Sequence, residues 1–354
     1  MSIFSDLRFM RQVKLPKENN FDLLRFCFAA MVFFVHAYQL SGAPELSIFA
    51  DLFSSSIAVQ CFFVVSGFLI FMSYENSSGL GNYLEKRARR IYPAYFTVVV
   101  LSALFCVFVS SYSWVDYYGS IDFYKYLAAN LVFLNFIQPS LPGVFAENQL
   151  VAVNGALWTL KIEVMFYLSV PLLIWLFRKL GLWQGLLLAY AGSVLYKAWM
   201  GQLIDMHGGI YVELQRQLPG QLMYFVAGGA LYYYFDQFKA RSPQLLLLAV
   251  GGLIIEHYLQ PGFLHAASLA VIVVYLAFIF KYMGNFGRFG DFSYGVYILH
   301  SPILQVLIVY SVFDQPWLAF FVACLLVMVA AYIMWHRVEK PALRSSSHYV
   351  KANH

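Results

Sequence analysis

Charged residues are scarce in this chain of 354 residues, of which only 12% are Asp, Glu, Lys or Arg. Soluble domains carry about a quarter charged residues, so this shortage argues against a soluble globular domain. Hydrophobic residues make up 61% of the chain and aromatic residues 19%, which is typical of a protein with several membrane-spanning helices. The net charge of +5 gives no reason to expect a nucleic-acid partner, because the basic residues lie where membrane topology requires them.

The chain also lacks the short motifs of several enzyme classes. No HEXXH or CXXC spacing, no Walker loop and no dinucleotide-binding fingerprint occurs. The sequence therefore predicts no metal site and no P-loop or dinucleotide-binding domain. All four cysteines lie inside apolar segments, so we predict no disulfide framework. No repeat of fixed period is found.

Ten apolar segments predict transmembrane helices. They lie at 21–40, 56–73, 92–110, 157–177, 183–200, 218–235, 244–259, 265–281, 292–312 and 316–336. The fold class is therefore predicted as all-α, with a polar cytoplasmic arm at 1–20, a single membrane domain at 21–340 and a cytoplasmic tail at 341–354. A further apolar run at 124–137 is short and lies within the one long connection, which extends from about 111 to 156.

The distribution of basic residues decides the predicted orientation. If the N-terminal arm is cytoplasmic and 124–137 does not cross, 18 of the 23 Lys and Arg residues lie on the cytoplasmic side. If 124–137 crossed, every later basic loop would lie on the wrong side. We therefore predict about ten transmembrane helices with both termini in the cytoplasm, and an interfacial or re-entrant segment at 124–137.

Arg25 and His36 lie within the first predicted helix, FDLLRFCFAAMVFFVHAYQL. Ionisable groups are costly inside a bilayer unless they are paired or solvated, so they usually mark a functional site. Eleven residues correspond to about three helical turns, so both side chains lie on one face, about 16 Å apart along the axis. The predicted topology puts Arg25 near the cytoplasmic surface and His36 in the outer half of the membrane.

Glu163 lies well inside the predicted helix 157–177, which runs inward. The predicted depths of Glu163 and His36 differ by only about 3 Å. A histidine and a glutamate at one depth suit proton transfer, with His36 as general base and Glu163 as the group that orients it or holds the resulting charge. A polar pair that only joins two helices would produce the same pattern.

Arg87 and Arg90 in the segment RARRIYP are three residues apart, so they lie on one side of a helical turn. Such a pair can bind phosphates through forked hydrogen bonds, although an ordinary positive-inside anchor has the same spacing. Arg25 favours phosphate binding, because an anchor does not need a further arginine one turn inside a helix.

Two further segments carry polar residues in apolar surroundings. In FFVVSGFLI (62–70), Ser66 and the glycine that follows indicate close helix packing or, alternatively, a polar lining for a ligand tunnel. In SYGVYILH (293–300), Tyr297 and His300 share one helical face. For His300, a structural hydrogen bond and a catalytic role are both open.

Five motifs occur in the order found in the acyltransferase-3 family of membrane acyltransferases. They are Arg25-x10-His36 preceded by Asp22, FFVVSGFLI, RARRIYPAY, WTLKIEVMFY and SYGVYILH. The chain resembles that family from about 21 to 340. The resemblance implies ten membrane helices and transfer of an acyl group, usually acetyl from acetyl-CoA, to a hydroxyl of a surface glycan or its lipid-linked precursor.

The resemblance also implies roles for the residues at matching positions. His36 is the essential base and Arg25 its motif partner, while Arg87 and Arg90 bind the acyl-CoA. Glu163 belongs to the catalytic site.

Three further polar residues complete the expected site. Tyr297, Ser66 and His300 are expected to contact the acyl-CoA. The chain departs from the usual family pattern at Lys161, which puts a charge beside the glutamate. No hydrolase-like domain follows the last helix, which points to stand-alone members of the bacterial inner membrane, such as O-antigen or exopolysaccharide O-acetyltransferases.

A donor made in the cytoplasm fits this arrangement. An acyl-CoA carries several phosphates for the arginines, and its pantetheine arm is about as long as the separation of Arg25 and His36, about 16 Å. Transfer could be direct or could pass through a covalent intermediate on His36. The alternative function is a proton-coupled transporter of a small molecule or lipid-linked sugar, although no mirrored halves are found. A non-catalytic scaffold would not need the buried ionisable residues.

Overall fold

A computed structural model describes residues 15–344 of the chain. Across these residues the protein is all-α, and its one β-type contact is an isolated bridge between Ser110 and Val144. The α-helices, in chain order, are α1 (Phe21–Ser41), α2 (Ile48–Leu52), α3 (Ser55–Glu75), α4 (Leu80–Phe105), α5 (Trp114–Gly119), α6 (Ile121–Leu131), α7 (Leu157–Leu180), α8 (Leu182–His207), α9 (Ile210–Gln215), α10 (Leu218–Tyr233), α11 (Phe235–Ala240), α12 (Ser242–Leu259), α13 (His265–Phe278), α14 (Ser293–Val309), α15 (Pro316–Met334) and α16 (Lys340–Ala342). A π-helical turn at Trp335–Glu339 joins α15 to α16.

The apolar segments predicted from the sequence lie on α1, α3, α4, α7, α8, α10, α12, α13, α14 and α15. Within 15–344, six spans are long and apolar enough to cross a membrane: Phe21–Ser41, Pro44–Glu75, Leu80–Val109, Leu157–Leu180, Ser242–Leu259 and Pro316–Ala342. The all-α membrane architecture is therefore confirmed, whereas ten crossings and two cytoplasmic termini stay predictions. Most of the predicted arm and tail lie outside the described residues.

The short run at 124–137 forms only part of a helix. Helix α6 ends at Leu131, and its eleven residues extend about 16 Å, roughly half of the hydrocarbon core of a bilayer. Asn130 ends it, because its side-chain amide donates to the carbonyls of Tyr126 and Gln138, both at 2.9 Å. This length favours the prediction that the segment does not cross, while its interfacial position stays a prediction.

The described residues form two compact units, and several long helices contribute residues to both. The first unit consists of 15–21, Val59–Glu85 and Ile162–Asn285. The second unit consists of Asp22–Ala58, Lys86–Lys161 and 286–344.

In the first unit, α3 packs closely against α10. A side chain on Gly67 would overlap the carbonyl of Phe225, and one on Gly228 would overlap the carbonyl of Val64. The rings of Phe166 and Phe225 stack beside this contact with their centroids 4.3 Å apart. The glycine of FFVVSGFLI therefore serves the close helix packing that the sequence indicated.

In the second unit, α14 packs against α15, and α1 contributes aromatic rings to the same core. Gly295 lies against the backbone of Ala331, where a Cβ atom would have no room. Phe33 of α1 stacks on Phe320 of α15 with centroids 5.9 Å apart. These contacts hold together α1 and α14, which carry four of the eight predicted site residues.

Candidate functional site

Three groups of polar residues contain most of the predicted site residues. The histidine pair is His36 with His300, and it lies in the second unit. The ion cluster, also in the second unit, is Asp22, Arg25, Arg90, Asp291 and Glu339. The glutamate group, in the first unit, is Ser66, Glu163 and Tyr167.

The histidine pair joins α1 to α14. His36 Nδ1 and His300 Nε2 are 2.9 Å apart, and the ring centroids are 5.1 Å apart. His300 is completely buried, and its Nδ1 lies 3.2 Å from the carbonyl oxygen of Val296. The structure thus gives His300 a direct contact with the predicted base.

The hydrogen bonds of the pair determine its tautomers when both rings are neutral. A carbonyl can only accept, so His300 Nδ1–H donates to Val296, and His300 Nε2 is left as an acceptor. His36 must then donate through Nδ1–H. The second ring nitrogen of His36, Nε2, therefore carries no proton and is the basic atom.

Tyr297 is fixed beside the histidine pair. The Thr159 hydroxyl donates to the carbonyl of Ala156 at 2.9 Å, so it accepts from the Tyr297 hydroxyl at 2.7 Å. The Tyr297 ring lies edge-on to His300 with centroids 5.9 Å apart. The side chain of Tyr297 thereby holds one side of the buried imidazole in place.

A loop before α7 anchors α14 along its length. The Asn154 amide donates to the carbonyl of Ile298 at 2.8 Å, and the Gly155 N–H donates to Ser301 Oγ at 3.1 Å. Further along, Gln305 Nε2 donates to the carbonyls of two residues of the same loop. These bonds fix the helix that carries Tyr297 and His300.

Asp291 is the centre of the ion cluster. Its Oδ2 lies 2.5 Å from Arg25 Nη2 and also pairs with Arg90 Nη2. Its Oδ1 accepts from the Ser293 hydroxyl at 2.5 Å and from the Ser293 N–H at 3.3 Å. The Asp291 side chain is only 1% exposed, so this carboxylate is a buried junction between α1, α4 and the start of α14.

Two further acids complete the ion cluster. Asp22 Oδ1 lies 2.7 Å from Arg25 Nη2, one helical turn away on α1. Glu339 Oε2 lies 3.6 Å from Arg90 Nη1, and its side chain is 2% exposed. The cluster therefore contains three carboxyl groups and two guanidinium groups.

Arg87 is half-buried on α4, one turn before Arg90. The structure brings Arg25 and Arg90 together at Asp291. The binding of phosphate by Arg87 and Arg90 stays a prediction.

In the glutamate group, Glu163 accepts two hydrogen bonds. Tyr167, one turn later on α7, donates to Glu163 Oε1 at 2.6 Å, and Ser66 Oγ donates to the same atom at 3.3 Å. The serine therefore acts as a partner of the glutamate. Glu163 belongs to the first unit and His36 to the second, and their predicted joint action stays a prediction.

Lys161 has an aromatic partner in the second unit. Its Nζ lies 4.5 Å from the centroid of the Phe136 ring, which is the distance of a cation–π contact. Elsewhere, among residues 15–344, no group of three or more His, Cys, Asp or Glu side chains is arranged to hold a metal ion.

Sequence reasoning missed two acids of the ion cluster, Asp291 and Glu339, and also Thr159, which bonds to Tyr297. A signal was available for the two acids, because each lies at the end of an apolar helix that faces the basic side of the predicted topology. Thr159 gave no such signal, since a threonine in an apolar helix commonly bonds to its own backbone.

Known proteins resemble this chain over most of its length. A family model described as an acyltransferase domain, Acyl_transf_3, matches residues 18–336. An O-acetyl transferase of Shigella phage Sf6 is 25% identical over 343 residues, which cover 94% of this chain and 98% of that protein. Nodulation protein 10 of Rhizobium leguminosarum bv. viciae is 26% identical over 360 residues, covering 92% and 94% respectively. No solved structure matches the chain.

Proposed function

Because the chain belongs to the acyltransferase-3 family, we propose that this membrane O-acyltransferase transfers an acetyl group from cytoplasmic acetyl-CoA to a hydroxyl of a cell-surface polysaccharide or its lipid-linked precursor. The observation that carries the proposal is the histidine pair, in which His36 Nδ1 lies 2.9 Å from His300 Nε2. The bacterial inner membrane is the proposed location, since it separates a cytoplasmic acyl-CoA from an external glycan.

In the proposed reaction, His36 Nε2 takes the proton of the acceptor hydroxyl while the hydroxyl oxygen attacks the thioester carbonyl. A carbon–oxygen bond forms, the carbon–sulfur bond breaks, and the CoA thiolate leaves. The protonated His36 then returns its proton to the thiolate. Throughout this cycle His36 Nδ1–H donates to His300, which holds the ring in one orientation.

The other site residues are proposed to position the two substrates. Arg87 and Arg90 bind phosphates of acyl-CoA, because planar guanidinium groups match phosphate oxygens. Asp291 supports this role, since its Oδ2 holds one Nη2 atom each of Arg25 and Arg90 in a fixed orientation. Glu163 is proposed to stabilise positive charge during transfer.

The proposal is tested by adding acetyl-CoA with a labelled acetyl group to membranes that contain the protein. Label should enter glycan with the wild type and should be lost with His36→Ala. His257→Ala is the matched control, because it also removes an imidazole but from an exposed position near the end of α12. Transfer that persists in His36→Ala would contradict the role of the base. Substrate transport that continues without acetyl-CoA would favour the transporter.

The same label separates direct transfer from a covalent intermediate. Wild-type protein is incubated with the labelled donor in the absence of acceptor and is then denatured rapidly. Direct transfer predicts no label on the chain. An acyl-histidine would give up to one label per chain, absent from His36→Ala.

A further inference from the structure

A cavity of about 480 Å³ lies in the second unit beside the ion cluster. Its walls come from the segment before α14 and from the π-helical turn after α15. The side chains that matter for its chemistry are Arg288, Phe292, Tyr332, Trp335, His336 and Lys340. Cavities of this size hold small ligands in proteins, and π-helical turns often occur at functional sites.

Aromatic rings form one wall of the cavity. The rings of Tyr332 and His336 lie 4.1 Å apart at 35°. Phe292 lies 6.0 Å from Tyr332 at 34° and 6.2 Å from His336 at 35°. The three rings are tilted by about 35° to one another, and each is a flat aromatic surface on which a nucleobase can stack.

One part of the cavity lining depends on a glycine. Gly290 has φ +123°, and a Cβ atom there would overlap the indole of Trp335. Trp335 itself is only 2% exposed, and both the indole and the backbone of Gly290 line the cavity. This close approach needs glycine at position 290.

Two cations, Arg288 and Lys340, also line the cavity. The guanidinium of Arg288 lies 4.4 Å from the centroid of the Phe289 ring, which limits the positions it can take. The ion cluster next to the cavity holds three carboxyl groups against two guanidinium groups, so it does not by itself supply an excess of positive charge. A ligand with several phosphates would therefore need cations outside that cluster.

We propose that this cavity binds the nucleotide end of the acyl-CoA, with the adenine against the aromatic wall and phosphate groups paired with Arg288 and Lys340. The ligand identity rests on the proposed function. Two residues of the cavity lining are direct sequence neighbours of the ion cluster at the predicted donor site. Gly290 precedes Asp291, and Lys340 follows Glu339. The donor then extends from this cavity, past the ion cluster, towards the histidine pair.

Adenosine 3′,5′-bisphosphate is the probe, since it reproduces the nucleotide end of CoA without the pantetheine arm or the thioester. Its binding to the detergent-solubilised full chain is measured by isothermal titration calorimetry. Arg288→Gln and Lys340→Gln should each weaken binding at least tenfold. Arg337→Gln is the matched control, because it removes an exposed cation from the same π-helical turn and should bind as the wild type does. Variants at 288 and 340 that also bind as the wild type does would overturn the proposal.

A kinetic comparison tests the same cavity during turnover. S-acetylpantetheine carries the thioester but no nucleotide, so the cavity should not contribute to its use. The ratio of kcat/KM for acetyl-CoA to kcat/KM for S-acetylpantetheine should fall about tenfold in Arg288→Gln and in Lys340→Gln. An unchanged ratio in both variants would contradict nucleotide binding here.

An anionic lipid headgroup also carries phosphate. Experiments in nanodiscs of defined lipid composition distinguish lipid binding from nucleotide binding in this cavity. If Arg288→Gln loses bound phosphatidylglycerol but keeps its affinity for the bisphosphate, the cavity is a lipid site and the proposal fails. Binding of the bisphosphate that depends on residues 288 and 340, without any acetyl transfer by the wild type, would support the cavity and contradict the proposed function. Acetyl transfer with wild-type kinetics in both variants would support the function and contradict the cavity.

Discussion

Asp291 and His300 show how single side chains organise the polar interior of the second unit. Asp291 joins Arg25, Arg90 and Ser293 through its two carboxylate oxygens. His300 accepts a hydrogen bond from His36 and donates another to the carbonyl of Val296. Each residue contacts a predicted site residue directly, so we expect each to act by positioning that residue.

Asp291→Asn keeps the shape of the side chain and removes its charge. Two guanidinium groups would then lie close together in buried surroundings, and breaking a buried ion pair costs about 3–5 kcal/mol. We expect a clearly lower melting temperature of the purified protein in detergent, measured by scanning fluorimetry. Asp236→Asn, at an exposed position of α11, is the control and should melt with the wild type. Equal melting temperatures for all three proteins would mean that the cluster does not stabilise the fold.

His300→Ala removes the acceptor for His36 Nδ1–H, so the ring of His36 loses its fixed tautomer and orientation. We expect kcat to fall by about tenfold to a hundredfold, less than the loss of about 10²–10⁴ that accompanies removal of a general base, while KM for acetyl-CoA stays within a factor of two. His300→Gln should recover part of kcat, because its side-chain carbonyl can accept the same hydrogen bond. A rise in KM with unchanged kcat would instead assign His300 to donor binding.

Among the helices, α3 and α14 depend on contacts that local sequence does not show. Helix α3 approaches α10 so closely that Gly67 and Gly228 have no room for a side chain. Helix α14 is fixed by the loop that contains Asn154, which bonds to its backbone at Ile298. In both cases the contacted atom is a backbone carbonyl oxygen, so the distance to the neighbouring main chain determines whether the two segments can pack.

Gly67→Ala tests the contact between α3 and α10. The added methyl group would overlap the Phe225 carbonyl, and overpacking of this kind costs about 1–3 kcal/mol. Thermal unfolding in detergent should therefore begin at a lower temperature than in the wild type. Gly251→Ala in α12 is the matched control, because nothing lies within 4 Å of its Cβ position, and alanine stabilises a helix relative to glycine by about 0.5–1 kcal/mol. Destabilisation in the control alone would reverse the interpretation.

For the protein as a whole, the predicted orientation decides which substrate reaches which group. The proposed donor, cytoplasmic acyl-CoA, would meet the arginines first only if the ion cluster and Arg288 lie on the inner side. The excess of basic residues on one side supports that orientation. The loop 111–156 would then lie outside, where an external glycan arrives.

Cysteine labelling tests this orientation in a variant whose four native cysteines are replaced. Glu147→Cys and Arg241→Cys both introduce a thiol at an exposed position. A membrane-impermeant maleimide added to intact spheroplasts should label position 147 at once and position 241 only after lysis, because charge distribution puts the first outside and the second inside. The reverse pattern would invert the topology and remove the cytoplasmic donor site.

Local chain chemistry was enough to predict the all-α membrane class and the ten apolar segments, and it indicated that Arg25 and His36 need polar partners. Hydropathy and helical period are properties of neighbouring residues, and a buried charge is costly wherever the helix packs. The sequence did not predict which residues would be the partners of Arg25 and His36. His36 meets a histidine 264 positions later, and Arg25 meets an aspartate 266 positions later.

Only the packing of α1 against the start and middle of α14 decided these pairs. A helical period shows which face a side chain occupies, but not which helix lies opposite or at what rotation. Residue counting predicted a depth of His36 in the membrane, and the fold shows His300 as the acceptor of its hydrogen bond. Likewise, the sequence showed the charges of Arg25 and Arg90. Only the packing of helices distant in sequence showed that the Asp291 carboxylate holds these two arginines together.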